Sequence, residues 1–427
     1  MKKLLILLII CFIVSPLYLF ADDEDNGNAE TAKITESDGL ADEYDNVQKE
    51  RGPFRIKDRR VEVGLANVSA GFANDFLTTS QIFNQDKLVI DLDELNKGFK
   101  INFDLGITPL YFNYTGKDKL WGYGLSINID AIGALNLSGD MLSLNEASGE
   151  KSDVSGAVFV DLKTSSFFHV KKIKTKFKAS LSMYYPALYV DPDISYTMNN
   201  SSDATKIDLD YNLWIYTPIS TEEGASTALS STPGFDIQLG AEYPLAEVLG
   251  LKERFGFLDF IVGVDFINIP IVPSSMKDYV KKSGRIGGGE PIDLDNFENY
   301  IENNDDVYGS SRKVITRPFK MLAWADWKPF NAVPVSFIPT LGFAVNPLYN
   351  KPGSIEAGVK TRLDLANLFI ATLGIGYHDR LWKNSVDLVL NFRFIEFNFG
   401  VDFRSQEFAK SWTGGGVCVN LGIKFGG

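Results

Sequence analysis

Apolar and polar residues alternate at period two along much of this 427-residue chain, and this alternation limits what the chain can fold into. In "FKINFDLGI", residues 99–107, every second residue is Phe, Ile or Leu, and "LWGYGLSINID", residues 120–130, repeats the pattern. An extended strand sends such alternate side chains to opposite faces. Similar segments recur to the end of the chain, with connections too short and polar for crossover helices. The sequence therefore predicts roughly fourteen to sixteen antiparallel strands.

The two faces of these strands decide between soluble sheets and a membrane barrel. After residue 21 no stretch approaches the roughly 18 consecutive apolar residues of a spanning helix. Soluble sandwiches of about 100 residues each would need linkers, and none stands out after residue 60. A membrane barrel has an apolar outer face and a polar interior, as these strands do. The sequence therefore predicts an all-β fold, a transmembrane antiparallel β-barrel of about 14 strands, with a range of about 12–16.

Composition divides the chain before the barrel. Two lysines, a long apolar run and an alanine before a burst of acid are the layout of a secretory signal peptide. An acidic stretch with few large apolar residues follows, and such a stretch is expected to be disordered. Further on, a stretch rich in Gly, Asn, Asp and Lys predicts a long loop. We expect a signal peptide at 1–21, an acidic disordered lead at 22–58, an N-terminal strand and helix-like plug segment at 59–98, and the barrel at 99–427 with a long loop at 273–312.

Lysines occupy every second position of "KIKTKFK", residues 172–178, with mainly apolar residues between them. A lysine on the lipid face of a spanning strand costs on the order of 2–4 kcal/mol, so this face is expected to turn to the lumen. The lysines that we expect in the lumen are Lys174, Lys176 and Lys178. In the alternative, Lys171 and Lys172 sit in a tight turn at the membrane edge, and only the upper lysines lie inside.

The next predicted strand, "KIDLDYNLWIY" from Lys206, carries Asp208 and Asp210 on one face. We expect this strand to lie beside the lysine strand, so that its acids meet the lysines across the pair. The three lysines and two acids form the candidate ligand-binding site in the lumen. Two interpretations stay open: the acids neutralise the lysines and support a wet lumen, or one ammonium remains to guide a passing carboxylate.

Histidine and cysteine are scarce, with two of each in the chain. This argues against a zinc cluster and, once residues 1–21 are removed, against a disulfide, so we expect no cofactor and no metal. Ser165 and His169 share a strand face but lie about 13 Å apart by strand rise, which is too far for a catalytic dyad. His378 falls in a predicted turn beside Asp379. We therefore expect no enzyme, with an outer-membrane lipase as the alternative, and no nucleic-acid partner for a chain of net charge −13.

The closing strand, "GGGVCVNLGIKFGG", has large apolar residues on one face from Val417 to Phe425. It resembles the C-terminal signal strand of outer-membrane barrels, which the barrel assembly machinery reads. Over residues 61–425 the chain resembles an uncharacterised family of spirochaetal-type outer-membrane β-barrels and, more distantly, the FadL-type long-chain fatty acid channels. The resemblance implies an outer-membrane location and an N-terminal segment that can plug the lumen. FadL-type channels usually carry Asn-Pro-Ala near the start of this hatch, whereas residues 73–75 here are Ala-Asn-Asp.

These features predict a channel for the passive uptake of hydrophobic or amphipathic small molecules such as long-chain fatty acids. Its partners would be outer-membrane lipids, small amphipathic solutes and the barrel assembly machinery, and its oligomeric state stays open. The alternative is a sealed structural or surface protein that acts through the loop at 273–312. One local question also stays open: apolar parity switches between Phe394 and Ile395, which requires a very tight hairpin or a bulge.

Overall fold

The computed structural model describes residues 59–74, 98–138, 153–201, 204–218, 230–286, 301–330, 333–349, 352–405, 407–412 and 416–427. All of these fall in one compact unit, residues 52–427. The predicted signal peptide, the acidic lead and most of the helix-like plug segment lie outside the described residues. Among the residues described, no helix is both long and apolar enough to cross a membrane.

The described part of the chain contains eighteen β-strands, all in one sheet. They are β1 Val61–Asn74, β2 Gly98–Thr115, β3 Trp121–Ser138, β4 Asp153–Val170, β5 Thr175–Ser201, β6 Ala204–Tyr216, β7 Gly234–Tyr243, β8 Asp259–Val272, β9 Ser274–Ile286, β10 Ile301–Asn303, β11 Val307–Ile315, β12 Phe319–Lys328, β13 Val335–Val345, β14 Gly353–Leu365, β15 Phe369–His378, β16 Leu381–Asn391, β17 Ile395–Ser405 and β18 Gly416–Gly426. Two one-turn helices, α1 Leu245–Val248 and α2 Leu251–Arg254, lie between β7 and β8.

Fourteen of the described strands close into an antiparallel wall. The ring runs from β1 through β5, then β7, β8 and β12 to β18, and β18 pairs back onto β1. This confirms the predicted all-β barrel of about 14 strands. β1 belongs to the wall, although the boundary predicted from the sequence began the barrel at residue 99. Small residues break the alternation of β1, and one of them, Gly64, leaves room for the Tyr111 ring.

The wall has an apolar outer face and a polar inner face. On β2, Phe103 is 48% exposed while its neighbour Asp104 pairs with Arg404 on the inside. Soluble monomers rarely expose a continuous apolar surface of this kind, whereas a transmembrane barrel requires it. The exposed large apolar residues of the wall include Leu105, Leu181, Leu239, Leu341, Phe343, Ile355, Leu373, Phe399 and Leu421.

Beyond the wall the chain forms a separate lobe, into which β5 continues without a break and whose strands β9 and β11 are separated from the wall strands β8 and β12. We call the end at which β1 begins and β18 ends the lower end, and the opposite one the upper end. The lower half of β5 pairs with β7, while its upper half pairs with β6. Pro273 similarly separates β8 from β9, and residues 316–318 separate β11 from β12. The upper half of β5, with β6, β9, β10 and β11, forms the upper lobe.

The prediction of a long loop at 273–312 is wrong over most of that range. β9 and β11 occupy it and pair from Ser274 to Lys281. These strands carry polar residues at consecutive positions, as in "SSMKDYVKKSGRI", so the alternation that marks a membrane wall strand is absent. β10 also falls in this range, and residues 287–300 lie outside the described part of the chain.

The connections at the lower end are short. β16 and β17 are joined by residues 392–394, and the Phe392 N–H donates to the Ile395 carbonyl oxygen at 2.8 Å. Arg393, at the tip, has φ of 68°. The switch of apolar parity near Phe394 is therefore a tight hairpin and not a bulge.

Candidate functional site in the lumen

The lower part of the lysine ladder is a turn. Residues Lys171–Ile173 form one turn of 3-10 helix, and Lys174 follows in the left-handed conformation at φ of 51°. Lys171 and Lys172 are exposed. Lys174 Nζ lies 2.6 Å from Glu247 Oε1 of α1, and both side chains are about half exposed. The alternative of a tight turn at the membrane edge is therefore confirmed, and it extends to Lys174, which the sequence had placed in the lumen.

Lys176 and Lys178 do lie in the lumen, and they share one carboxylate. Lys176 Nζ is 3.4 Å from Glu242 Oε2, and Lys178 contacts the other oxygen of the same group. The two lysine side chains are 38% and 39% exposed and that of Glu242 is 20% exposed. The lysines also lie over aromatic rings, Lys176 over Phe167 at 4.8 Å and Lys178 over Trp324 at 5.8 Å. We call Lys176, Lys178 and Glu242 the lysine pair site, in which both ammonium groups are open to water. A second carboxylate, that of Asp265, lies beside it and accepts a hydrogen bond from Trp324 Nε1 at 2.6 Å.

The acids predicted to face the lysines lie elsewhere. Asp208 and Asp210 are on β6, opposite Thr197 and Ser195 near the far end of β5. Asp210 Oδ1 lies 3.9 Å from Arg285 Nε in the upper lobe, and both side chains are about half exposed. In a hairpin, residues close to the turn on one strand pair with residues close to the turn on the other. The acids lie early in β6, so they meet the end of the 27-residue β5 and not its beginning, where the lysines are.

The acid that does face the lysines comes from β7, and sequence reasoning missed it. β7 pairs with the lower half of β5, which places Glu242 opposite Lys176. The signal was present in "FDIQLGAEY", residues 235–243, where Asp236, Gln238 and Glu242 alternate with apolar residues. What the sequence did not disclose is that the strand next to β5 at this level is β7 and not β6.

Above the lysine pair site, three buried charged side chains meet. Arg317 Nε donates to Asp236 Oδ2 at 2.6 Å, and its Nη1 lies 3.4 Å from Asp161 Oδ1. The three side chains are only 6%, 0% and 2% exposed, respectively. The Arg317 guanidinium also lies over the Tyr184 ring at 4.9 Å. Arg317 stands in the break between β11 and β12, so the interruption of that strand carries this charge to β4 and β7. We call these residues the arginine triad.

An apolar core packs against the triad on the side of the upper lobe. Phe159, Tyr184, Met276 and Ile315 are each at most 2% exposed. The Phe159 and Tyr184 rings meet edge to face at 5.9 Å, and the Tyr184 hydroxyl donates to the Ile315 carbonyl oxygen at 3.1 Å. Phe159 and Asp161 share the lumenal face of β4, so this core lies inside the wall. The rest of the core consists of Ala157, Tyr189, Tyr216 and Leu348.

Other charged groups line the opposite wall and the upper turns. Arg404 pairs with Asp104 and Asp402, and its side chain is 5% exposed. In the turn between β15 and β16, Asp379 lies 2.6 Å from Lys320 Nζ and 3.2 Å from Lys383 Nζ. Desolvation by the surrounding protein acts to raise the pKa of the Asp379 carboxyl, but the two ammonium groups hold it well below its ordinary value. This turn is therefore anchored by ionised groups.

The two histidines occupy different surroundings. His169 pairs across the strands with Lys176, and Ser165 with Ser180, on an unbroken β4. His378 ends β15, and its Nδ1 lies 2.7 Å from Oε2 of Glu356, which is 1% exposed. Neither histidine is hydrogen-bonded to a serine within the described residues. In the same ranges, no three His, Cys, Asp or Glu side chains gather as a metal site would require.

Comparison with known proteins gives structural likeness only. No protein-family model and no curated protein matches the chain. Among solved structures, a TodX deletion mutant described as a monoaromatic hydrocarbon channel is similar at 10% identity and a TM-score of 0.48, over 89% of this chain and 92% of that one. The CymD monoaromatic hydrocarbon channel is similar at 9% identity and 0.46, over 87% and 89%. A Pseudomonas aeruginosa FadL homologue is similar at 10% identity and 0.43, over 86% and 90%. At these values the assignment of function rests on the residues of this chain.

Proposed function

We propose that this protein is an outer-membrane channel through which hydrophobic or amphipathic small molecules, including long-chain fatty acids, diffuse passively. The observation that carries the proposal is the lysine pair site. Lys176 and Lys178 are open to water, hold one carboxylate between them, and lie against the rings of Phe167 and Trp324. An amphipathic anion needs both features, because its head requires a cation and its tail an apolar surface.

The energetics of the lysine pair suit passage more than tight binding. Each ammonium is more than a third exposed, so water screens its attraction for an anion. Weak binding at several points along a lumen allows a solute to leave as well as to enter. The arginine triad and the apolar core then define a narrower region above the lysine pair site. A solute that enters from the upper end must pass beside that region or displace part of it.

Uptake by reconstituted protein tests this proposal. We expect vesicles that contain the full-length chain to take up a fluorescent long-chain fatty acid faster than protein-free vesicles. Replacing both lumenal lysines, Lys176→Gln with Lys178→Gln, should slow uptake of the fatty acid several-fold, because the head group loses its cations. Uptake of the corresponding uncharged fatty alcohol should change little.

A matched control separates the lumen from general effects of charge. Lys277→Gln with Lys282→Gln removes two exposed lysines from β9 of the upper lobe and should leave fatty acid uptake unchanged. If the wild-type protein gives no uptake above protein-free vesicles, the channel proposal fails. If uptake is present but the lumenal and lobe variants behave alike, the lysine pair site is not on the path.

A specific observation also favours a second function, a sealed surface protein. The triad and the core are buried inside the wall, and the upper lobe extends the chain beyond it. A barrel closed in this way would present the lobe as its working surface, where Tyr308 is 46% exposed. Absence of uptake, combined with protease cleavage of the lobe on intact cells, would select this function over the channel.

A further inference from the structure

The turns at the lower end carry a charge opposite to that of the whole chain. The turns at the lower end connect β2 to β3, β4 to β5, β7 to β8, β12 to β13, β14 to β15 and β16 to β17. They contain eight basic and three acidic residues, in a chain of net charge −13. The basic residues are Lys117, Lys119, Lys171, Lys172, Lys174, Lys252, Arg254 and Arg393, and the acidic ones are Asp118, Glu247 and Glu253.

The lysine side chains in two of these turns are exposed to solvent. Lys117 and Lys119 are exposed in the turn between β2 and β3, and Lys171 and Lys172 are exposed in the turn before β5. Because the turns lie side by side around the ring, the two lysine pairs are separated by one strand pair, β3 and β4. We call the described turns at this end the lower rim.

Large apolar side chains stand among these charges. Ile173 follows Lys172 directly and is 49% exposed, and Leu249 and Phe257 beside the one-turn helices are 59% and 55% exposed. Phe330 and Phe394, in later turns, are 55% and 66% exposed. Turns that face only water have no reason to expose so many large apolar groups in succession around a ring.

The apolar surface of the rim is continuous with the lipid-facing wall. Phe168, three residues from the turn lysine Lys171, is 50% exposed on the outer face of β4, and Leu365 is 46% exposed at the end of β14. The hydrophobic band of the barrel therefore does not stop at the strand ends but extends onto the turns. Basic side chains at such a boundary can lay their stems along the apolar layer and place their charges among head groups.

We propose that the lower rim binds the head groups of acidic phospholipids while its apolar side chains enter the acyl layer of the same leaflet. Charge complementarity selects an anionic partner, and continuity with the outer wall selects a lipid surface over a soluble protein. The inference goes beyond the channel function, since it requires the barrel to span a membrane but not any particular solute.

Lipid selectivity at the protein boundary tests the inference. The full-length chain is reconstituted in phosphatidylcholine bilayers that contain a small fraction of spin-labelled phosphatidylglycerol or spin-labelled phosphatidylcholine. Electron paramagnetic resonance then measures the immobilised fraction of each lipid. For wild-type protein at low salt we expect phosphatidylglycerol to be preferred by roughly three-fold or more, with the preference falling as salt is added.

Two four-site variants distinguish the rim from the rest of the surface. The rim variant combines Lys117→Gln, Lys119→Gln, Lys171→Gln and Lys172→Gln. Its ratio of immobilised phosphatidylglycerol to immobilised phosphatidylcholine should fall close to one. The lobe variant neutralises as many basic residues at the other end, with Lys277→Gln, Lys281→Gln, Lys282→Gln and Arg285→Gln, and should keep the wild-type preference.

Folding is checked by migration on a gel with and without boiling. If the rim variant does not fold, its two halves, Lys117→Gln with Lys119→Gln and Lys171→Gln with Lys172→Gln, are measured separately, and each should lose part of the preference. A wild-type protein without preference for phosphatidylglycerol would overturn the inference. A folded rim variant, or both folded halves, with the full wild-type preference would overturn it as well.

Discussion

Among the three residues of the arginine triad, Arg317 is the one whose replacement should lower the stability of the barrel most. It is the cation between Asp161 and Asp236, and all three side chains are at most 6% exposed. Arg317→Met leaves two carboxylates buried without their partner, which typically costs about 3–5 kcal/mol. We expect the free energy of unfolding, measured by urea titration of vesicle-embedded protein, to fall by about this amount.

Two comparisons show whether that loss comes from buried charge. Adding Asp161→Asn and Asp236→Asn to Arg317→Met removes every charge of the triad and should restore more than half of the lost stability. Arg285→Met, in a pair that is about half exposed, should cost at most about 1 kcal/mol. If Arg317→Met unfolds at the same urea concentration as the wild type, the triad does not hold the upper lumen together.

The candidate site was predictable from the sequence only in part. Parity along one strand is local, so the inward direction of Lys176 and Lys178 followed from the alternation itself. Lys174 was misplaced because its left-handed conformation, φ of 51°, ends the turn one residue before β5 begins. Glu242 was missed because it meets the lysines through pairing between distant segments. Arg317 had no signal in the sequence, since its position depends on where β11 and β12 separate.

At the scale of the element, the three-residue connection between β14 and β15, residues 366–368, contains a conformation that its sequence does not favour. Ala366 and Asn367 both have φ of 56°. Alanine in the left-handed region costs about 1 kcal/mol or more, whereas glycine adopts it freely. We expect Ala366→Gly to stabilise the barrel by up to about 1 kcal/mol in the same urea titration.

The opposite result is expected for the same substitution within a strand. Ala357 lies in the extended part of β14, where glycine adds flexibility to the unfolded chain and removes a side chain. Ala357→Gly should therefore destabilise the barrel by roughly 0.5–1 kcal/mol. Equal effects of the two substitutions would show that the backbone of the turn contributes nothing to the stability of this hairpin.

The elements themselves could be predicted wherever one face is apolar and the other polar. β2 and β3 meet this condition and fall where the alternation places them. β9 and β11 do not, because pairing within the upper lobe does not demand a lipid-facing side. Sequence periodicity therefore finds strands of the wall and overlooks strands of the lobe, and the wrong prediction of a loop at 273–312 has this physical origin.

At the scale of the whole molecule, β5 links the wall to the lobe. Its 27 residues would extend about 90 Å at the usual rise per residue, far more than the roughly 25 Å apolar band of a membrane barrel. The number of wall strands was predictable because each contributes its own alternating segment. The departure of β6, β9 and β11 from the wall was not predictable, because it depends on where β6 ends and β7 begins, on Pro273 and on residues 316–318.

The central claim is that solute passes through the lumen beside the lysine pair site, and blocking that site tests it most directly. Lys178→Cys, in a chain that also carries Cys11→Ala, is reacted with a bulky, membrane-impermeant thiol reagent in vesicles that take up fatty acid, while the native Cys418 is buried. Lys117→Cys, on the lower rim outside the lumen, serves as the control. We expect complete labelling at position 178 to reduce uptake to the level of protein-free vesicles and labelling at position 117 to leave it unchanged. Full uptake after complete labelling at position 178 would contradict passage through this lumen.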